Sequence, residues 1–295
     1  VGAEMCIRDS YEISHRRESK DGTRKYVVRY SDGNIVECVL MKYKYGFTLC
    51  VSTQVGCRMG CKFCASTLHG LARNLSAGEI MGQVVKVNRD LGGSRKSRLI
   101  TNVVMMGSGE PLDNFDNVVK FVRLLSSAKG MNISQRNISL STCGLVDRID
   151  KLAEENFNIT LTISLHATTD ENRRQIMPIA NRFTIDEIIA ACRRYFDKTG
   201  RRIYFEYTLI KDVNDTDADA QRLAKLLHGL TCHVNVIPLN AVKERQLQGV
   251  ARLQAYEFVG KLKKLGLSAT VRRTMGEDIE GACGQLRNSI LENKH

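Results

Sequence analysis

Residues 56–64 read Gly-Cys-Arg-Met-Gly-Cys-Lys-Phe-Cys, and the cysteines at 57, 61 and 64 put three thiols within eight residues. Three thiolates on one short loop can hold three irons of a four-iron cubane and leave the fourth iron without a protein ligand. An open iron of that kind can chelate the amino and carboxylate groups of an amino-acid-derived cofactor. Gly56 and Gly60 let the backbone wrap closely round such a group. The other reading of the loop is structural zinc, which wants four closed ligands. His69 would have to supply the fourth, and no second paired half follows.

Working outward, the loop is preceded by short apolar runs. Lys25–Tyr30 and Ile35–Met41 flank the turn Ser31-Asp32-Gly33-Asn34, which predicts a hairpin, and Thr48–Thr53 is a third strand. Beyond the loop, helical and apolar segments alternate. Ser76-Ala77-Gly78-Glu79 and Thr184-Ile185-Asp186-Glu187 are capping boxes that open helices. Ile100–Met106 is almost continuously apolar, as in a strand buried on both faces. Similar strands are predicted near 137–141, 159–165, 202–209, 233–238 and 268–272, with helices between them. Repeated strand–helix units imply a parallel sheet. The expected fold class is α/β, an incomplete β/α barrel of about six units behind a short β lead-in, with its site at the carboxyl ends of the strands.

Composition narrows the classes. Hydrophobic residues make up 43% of the 295, which excludes a disordered chain. There is no run of eighteen apolar residues and no signal-peptide pattern, so a cytoplasmic protein is expected. The net charge of +12 suits an anionic polymer such as nucleic acid, or merely a well-solvated basic surface. Basic pairs recur at 16–17, 95–96, 173–174, 193–194, 201–202, 263–264 and 272–273 without one dominant patch. The ten cysteines are not spaced as a disulfide scaffold. Cys6, Cys38, Cys143, Cys192 and Cys232 are expected mainly as small buried hydrophobes. Residues 1–10 are left unassigned as an extraneous start. Residues 11–49 are expected as a β lead-in, 50–289 as the catalytic core and 290–295 as a tail.

Several residues at predicted strand ends can carry chemistry. Gly109 and Glu110 lie in Gly107-Ser108-Gly109-Glu110-Pro111-Leu112, where a carboxylate beside exposed backbone would suit an ammonium group; the alternative is an ordinary glycine turn. Ser141 and Ser164 can donate to hydroxyl or carboxylate groups, or be strand-end hydroxyls already satisfied. His166 could be a core histidine. Cys283, in Gly-Ala-Cys-Gly, has small neighbours that leave its sulfur reachable. Cys50 precedes the cysteine loop by seven residues and could equally be a buried strand residue. Glu37 alternates onto one face with Ile35 and Val39. A carboxylate buried there would be a stronger base, while an edge-strand charge is the plainer reading.

The runs Thr48–Ala65 (TLCVSTQVGCRMGCKFCA), Ile100–Leu112 (ITNVVMMGSGEPL), Ser164–Ala167 (SLHA) and Asp278–Leu286 (DIEGACGQL) resemble the RlmN-type dual-specificity rRNA/tRNA adenine carbon-2 methyltransferases, which are radical S-adenosylmethionine enzymes. The resemblance covers residues 11–289 and implies a radical-SAM barrel with one [4Fe-4S] cluster per chain on Cys57, Cys61 and Cys64. It also implies that the lead-in, 11–49, is the end of a missing N-terminal accessory domain. Gly109, Glu110, Ser141, Ser164, Leu165, His166 and Asn240 would bind S-adenosylmethionine, of which two molecules are used per turnover. Cys283 would accept a methyl group, and a deoxyadenosyl radical would take hydrogen from it. The resulting carbon radical would add to carbon 2 of adenine. Glu37 would accept the proton, and Cys50 would resolve the crosslink by forming a disulfide with Cys283. The implied substrates are adenosine 2503 of 23S rRNA and adenosine 37 of tRNA. A reductant such as flavodoxin would supply electrons, and the chain would act as a monomer away from membranes. Carbon-8 methyltransferases of the Cfr type share nearly all these residues, but Gly-Glu-Pro-Leu at 109–112 favours the carbon-2 group, since the carbon-8 group tends to have Ala after the Glu where this chain has Pro111. A non-catalytic, metal-stabilised RNA-binding protein is the alternative of a different class. Ser108 departs from the family's usual Met and is expected to alter packing beside the cofactor, not ligation.

Overall fold

The computed structural model describes residues 11–94 and 97–287. The expectations for residues 1–10, for Cys6, for the Arg95-Lys96 pair and for the tail lie outside them. The chain divides into two compact units. One takes in the described residues up to Arg58, Ala65–Ser139 and the described residues from Met275; the other takes in Met59–Cys64 and Leu140–Thr274.

The first unit opens with β1 (Tyr11–Glu18), β2 (Arg24–Tyr30), β3 (Ile35–Tyr43) and β4 (Gly46–Cys50). These four pair antiparallel in chain order. The Ser31–Asn34 turn is closed by the Tyr30 and Gly33 amides, with Gly33 at φ 84° as the sequence predicts. A small hairpin follows, β5 (Gln54–Gly56) with β6 (Leu71–Asn74), which brackets the cysteine loop. The capping box at Ser76 opens α1 (Ala77–Asp90) as predicted. Gly82 on this helix is obligatory, because a Cβ there would sit 2.0 Å from the Tyr11 ring of β1. Next come β7 (Ile100–Met105), parallel to β4, and α2 (Phe115–Ser126), which packs on α1. The first strand and the small hairpin were not expected. Tyr11–Glu18 is mostly polar, and three- or four-residue strands carry too little periodicity to read.

β8 (Ile138–Thr142) runs from the end of the first unit into the second. The second unit continues with α3 (Val146–Glu154), β9 (Thr160–Ser164), α4 (Asp170–Ile176), α5 (Ile185–Thr199), β10 (Ile203–Leu209), α6 (Asp217–Leu226), β11 (Cys232–Pro238), α7 (Arg252–Lys264) and β12 (Ala269–Val271). Its strands lie in chain order, and β9–β10, β10–β11 and β11–β12 pair in parallel. Leu161, Ile163, Ile203, Phe205, Val234 and Val236 of these strands are fully buried, as a sheet covered by helices requires. The α/β class with a mostly parallel sheet therefore holds.

Asn214, fully buried after β10, stitches two strand-end loops together. Its Nδ2 donates to the carbonyls of His166 and Thr208, each at 2.7 Å, and its Oδ1 accepts from the Ile210 amide at 2.8 Å. Truncation strands all three backbone groups out of reach of water. Asn214→Ala is expected to lower the unfolding free energy by about 3 kcal/mol, read from chemical denaturation.

Candidate active site

In the first unit the chain leaves β4 at Cys50 and runs alongside residues 104–110. The Val51 amide donates to the Val104 carbonyl, and the amides of Thr53 and Gln54 donate to that of Ser108. Gly107 donates back to the Val51 carbonyl, and the Ser108 amide to Ser52 Oγ at 2.8 Å. The approach is close enough to demand glycine twice. A Cβ at Gly107 would meet the Val51 carbonyl oxygen at 2.7 Å, and one at Gly109, whose φ is 105°, would meet Gln54 Cβ at 2.6 Å. Here Glu110 is buried, its amide donating to Gln54 Oε1 at 2.8 Å and its Oε1 accepting from the Leu112 amide at 3.0 Å. Gln54 also donates to Asn74 and Asp113, and Arg58, next to Cys57, is ion-paired to Asp113. Ser108 is fully buried, and its hydroxyl makes no hydrogen bond.

Three expected residues belong to this same unit. Glu37 lies in β3 between β2 and β4, so it is not an edge charge. Its Oε1 pairs with Lys25 Nζ at 2.9 Å, and its Oε2 accepts from the Arg287 amide at 2.7 Å. Cys50 is buried in a cluster with Val39 and Leu286, against Met41, Val104 and Met106. Cys283 sits in a turn that Ala282 and Gln285 close in both directions, with Gly284 at φ 84°. Type II turns put a glycine-like residue at that third position. The Gly284 carbonyl accepts from the amide of Ala65, the residue after Cys64, at 2.7 Å. Among the described residues no disulfide joins any of the nine cysteines. Cys38, Cys143, Cys192 and Cys232 are buried, as expected.

The second unit holds the end of the cysteine loop and the remaining strand-end residues. The Lys62 amide donates to the Ile176 carbonyl at 2.9 Å, and Gly60, at φ 73°, passes so close to Pro178 that a Cβ would lie 3.2 Å from its Cγ. Ser141 and Ser164, ending β8 and β9, place their hydroxyls 3.4 Å apart. Leu165 and Asn240 are buried. His166 takes a left-handed φ of 56°, and its Nδ1 accepts from the Thr208 amide at 3.0 Å, which leaves the ring hydrogen on Nε2. Its ring meets Phe63 of the cysteine loop edge-on at 4.9 Å. Burial, and secondly the charge of Arg173, pull the imidazole down to about 3.

Arg173 corrects an expectation. The pair Arg173-Arg174 was counted with the solvated basic clusters, yet Arg173 is fully buried. Its Nε donates to the Leu165 carbonyl at 3.1 Å, and its Nη2 to those of Cys143 at 2.6 Å and Ser164 at 3.3 Å. Its Nη1 has no hydrogen-bond partner. Burial lowers the affinity of this guanidinium for its proton, partly offset by the Cys143 and Cys61 sulfurs and Asp170. Adjacent arginines on a helix point about 100° apart, so they can meet different surroundings, and only packing could say whether either faces inward.

The residues fit an iron–sulfur cluster of the expected kind. Cys57 and Cys61 are buried and Cys64 is partly so, the two loop glycines hold positive φ, and a buried cation lies by Cys61 to balance an anionic cluster. No three His, Cys, Asp or Glu side chains among the described residues converge as ligands to a single ion. Thiolates of a cubane bind separate irons and need not converge.

Comparison with known proteins agrees. Residues 51–225 match the radical SAM superfamily. The chain is 55% identical over 282 residues to a probable dual-specificity RNA methyltransferase RlmN from Clostridium perfringens, covering 96% of this chain and 80% of that one. It belongs to the RlmN family of radical SAM RNA methyltransferases. A Clostridium botulinum relative of the same name is 54% identical over 291 residues, covering 99% of this chain and 82% of its own. A radical SAM methyltransferase from Sphaerobacter thermophilus superposes with a TM-score of 0.92 at 45% identity, over 97% of this chain and 85% of that one. Membership implies a [4Fe-4S] cluster and S-adenosylmethionine as cofactors. No helix among the described residues is long and apolar enough to cross a membrane.

The depressed imidazole gives a signed expectation. His166 binds its proton more weakly folded than unfolded, where an ordinary value near 6.5 applies. Below pH 6.5 the unfolded chain gains a proton that the folded chain refuses. Stability therefore falls as pH drops from 6.5 toward 3, and His166 adds no pH dependence above 7. Between pH 7.5 and 5.5 the wild type should lose about 1 kcal/mol more than His166→Gln, read from denaturation curves.

Proposed function

We propose that this chain methylates carbon 2 of adenosine in 23S rRNA and tRNA through a methyl group carried on Cys283. The observation that carries this reading is that Cys283, Cys50 and Glu37 belong to one compact unit. Leu286 packs on Cys50, the Arg287 amide binds Glu37, and both flank the turn that bears Cys283. A metal-stabilised binding protein has no use for that arrangement.

Carbon 2 of adenine is electron-poor and resists electrophilic methyl transfer, so the cofactors supply the difficult chemistry, a one-electron cleavage of S-adenosylmethionine that yields a hydrogen-abstracting radical. Cys57, Cys61 and Cys64 would hold the cluster. Gly109, Glu110, Ser141, Ser164, Leu165, His166 and Asn240 would hold S-adenosylmethionine, with the Glu110 carboxylate suited to its ammonium and the serine hydroxyls to its sugar or carboxylate. Neutral His166 donates from Nε2 and adds no positive charge. Cys283 would accept its methyl group from one of two S-adenosylmethionine molecules used per turnover, and the second would supply the radical chemistry that readies that methyl group for the base. The Cys283 thioether then tethers protein to RNA. Glu37 takes the proton from carbon 2. Cys50, as its thiolate, attacks the Cys283 sulfur; the sulfur–carbon bond breaks with its electron pair passing to the carbon on the base, which takes up a proton to become the methyl group, and a transient Cys50–Cys283 disulfide is left. A reductant such as flavodoxin resets both the cluster and the disulfide.

The net charge of +12 suits an RNA partner whose target base is splayed out of its stack to reach the site. Residues 50–289 form the catalytic core in this reading and 11–49 its supporting strands, acting as a cytoplasmic monomer. Nucleoside mass spectrometry of RNA incubated with reconstituted enzyme should give 2-methyladenosine; 8-methyladenosine alone would point to carbon-8 chemistry. Cys50→Ala is expected to accumulate a covalent RNA adduct on Cys283 and cut turnover by at least 100-fold. Normal turnover by that variant would remove Cys50 from the mechanism.

A further inference from the structure

The segment that carries Cys283 has little regular structure of its own. From Met275 to Arg287 it forms one short 3-10 turn, Glu277–Ile279, and Glu280 sits at φ 53°. Its position therefore depends on what grips it. At its start the grips are part-buried or exposed: Asp21 Oδ2 accepts from the Gly276 amide at 3.0 Å, and Asp278 accepts from Ser19 Oγ at 2.5 Å and the Lys20 amide at 3.2 Å. Near its end the Leu286 carbonyl accepts from Ser66 Oγ at 2.8 Å.

Between these grips, and beside the Gly284 carbonyl that accepts from the Ala65 amide at 2.7 Å, lies an ion pair with buried side chains. Lys25 faces Val39 across β2 and β3, and Glu37 faces Val27, so the two charges are diagonal neighbours on one face of the sheet. Lys25 Nζ bonds Glu37 Oε1 at 2.9 Å and also donates to the Glu280 carbonyl at 3.2 Å. Glu37 Oε2 accepts from the Arg287 amide at 2.7 Å. One ion pair thus holds the chain three residues before Cys283 and four residues after it. Side chains of the pair are only 6% and 10% exposed, so water cannot replace a lost partner.

We propose that Lys25 is a positioning residue whose ion pair with Glu37 latches the Cys283 segment, and that proton uptake by Glu37 opens the latch. With Glu37 ionised, the pair is closed and both backbone bonds are made. Once the carboxylate is neutral, Lys25 loses the charged partner that fixes it under the Glu280 carbonyl, and the Arg287 amide bonds an uncharged oxygen; the Arg287–Glu280 ion pair at 3.7 Å remains, so the segment loosens without detaching. This rests on the reading in which Glu37 takes the carbon-2 proton. The proton leaves carbon and binds the Glu37 oxygen; no electron moves in the latch itself. The timing is useful, because that proton arrives when the tethered base awaits release. Loosening the segment then lets the Cys283 sulfur meet Cys50, which Leu286 otherwise packs in place.

Hydrogen–deuterium exchange of the whole protein reads the latch directly, since cleavage after Arg273 and Arg287 isolates residues 274–287 in one peptide. Glu37→Gln mimics the neutral carboxyl at nearly the same shape, and Lys25→Met removes the cation. Each is expected to raise exchange in 274–287 at least tenfold while peptides from β10 and β11 stay within twofold of the wild type. Lys25→Arg, which keeps the charge, should stay near wild type and covers the case in which Lys25→Met fails to fold. Unchanged exchange in Glu37→Gln overturns the latch, and so does a rise spread evenly over the chain. Loss of the RNA adduct's proton at the normal rate in Glu37→Gln would overturn the role of Glu37 as base instead. The two failures are separate, because exchange is measured without RNA.

Discussion

The pairing of residues 50–54 with 104–110 is the contact on which the first unit's chemistry depends. It ends the parallel pairing of β4 with β7, turns the chain toward the cysteine loop and seats Glu110 on Gln54. Ser52 lies at its centre. Its amide and carbonyl are both taken by the Gln83 side chain of α1, and its hydroxyl donates to the Glu37 carbonyl at 2.6 Å while accepting from the Ser108 amide. One buried serine therefore joins the strand with the proposed base, the loop with the proposed ammonium ligand and the approach to the cluster. Such a network leaves little freedom, since each buried polar group lost would strand its partners.

The second unit solves a related problem with charge. Strand-end loops expose carbonyls that no sheet partner can satisfy. Arg173 gathers three of them, from Cys143, Ser164 and Leu165, and Asn214 gathers two more. A buried guanidinium with no carboxylate bonded to it is costly by itself. Its placement by Cys61 accounts for that cost if an anionic cluster stands there. The same charge helps keep His166 neutral, so the packing that supports the loops also sets the electrostatics of this buried side chain.

Much of the architecture was legible. The capping boxes at Ser76 and Thr184 and the apolar runs such as Ile100–Met105 are local signals, and the elements they mark end within a residue or two of expectation. The candidate residues Glu110, Ser141, Ser164 and His166 drew notice because they follow or end predicted strands, whereas Cys50 stood inside one and took its role only from the family resemblance. What escaped notice was short or reciprocal. β5 and β6 are too brief to show a period. Lys25 looked like one charge among 44, and Arg173 like half of a solvated pair.

The sequence alone determined the order of strands and helices, the three-thiol loop and the family, because those are written in residues close together along the chain. Tertiary structure decided the partners: Lys25 with Glu37, Arg287 with Glu37, Leu286 with Cys50, Arg173 with three carbonyls. The first three join residues from 12 to 250 positions apart, and the last spans 8 to 30. No local pattern encodes such distances. They follow from which side chains are driven out of water together, and from the requirement that every charge taken inside finds a partner there.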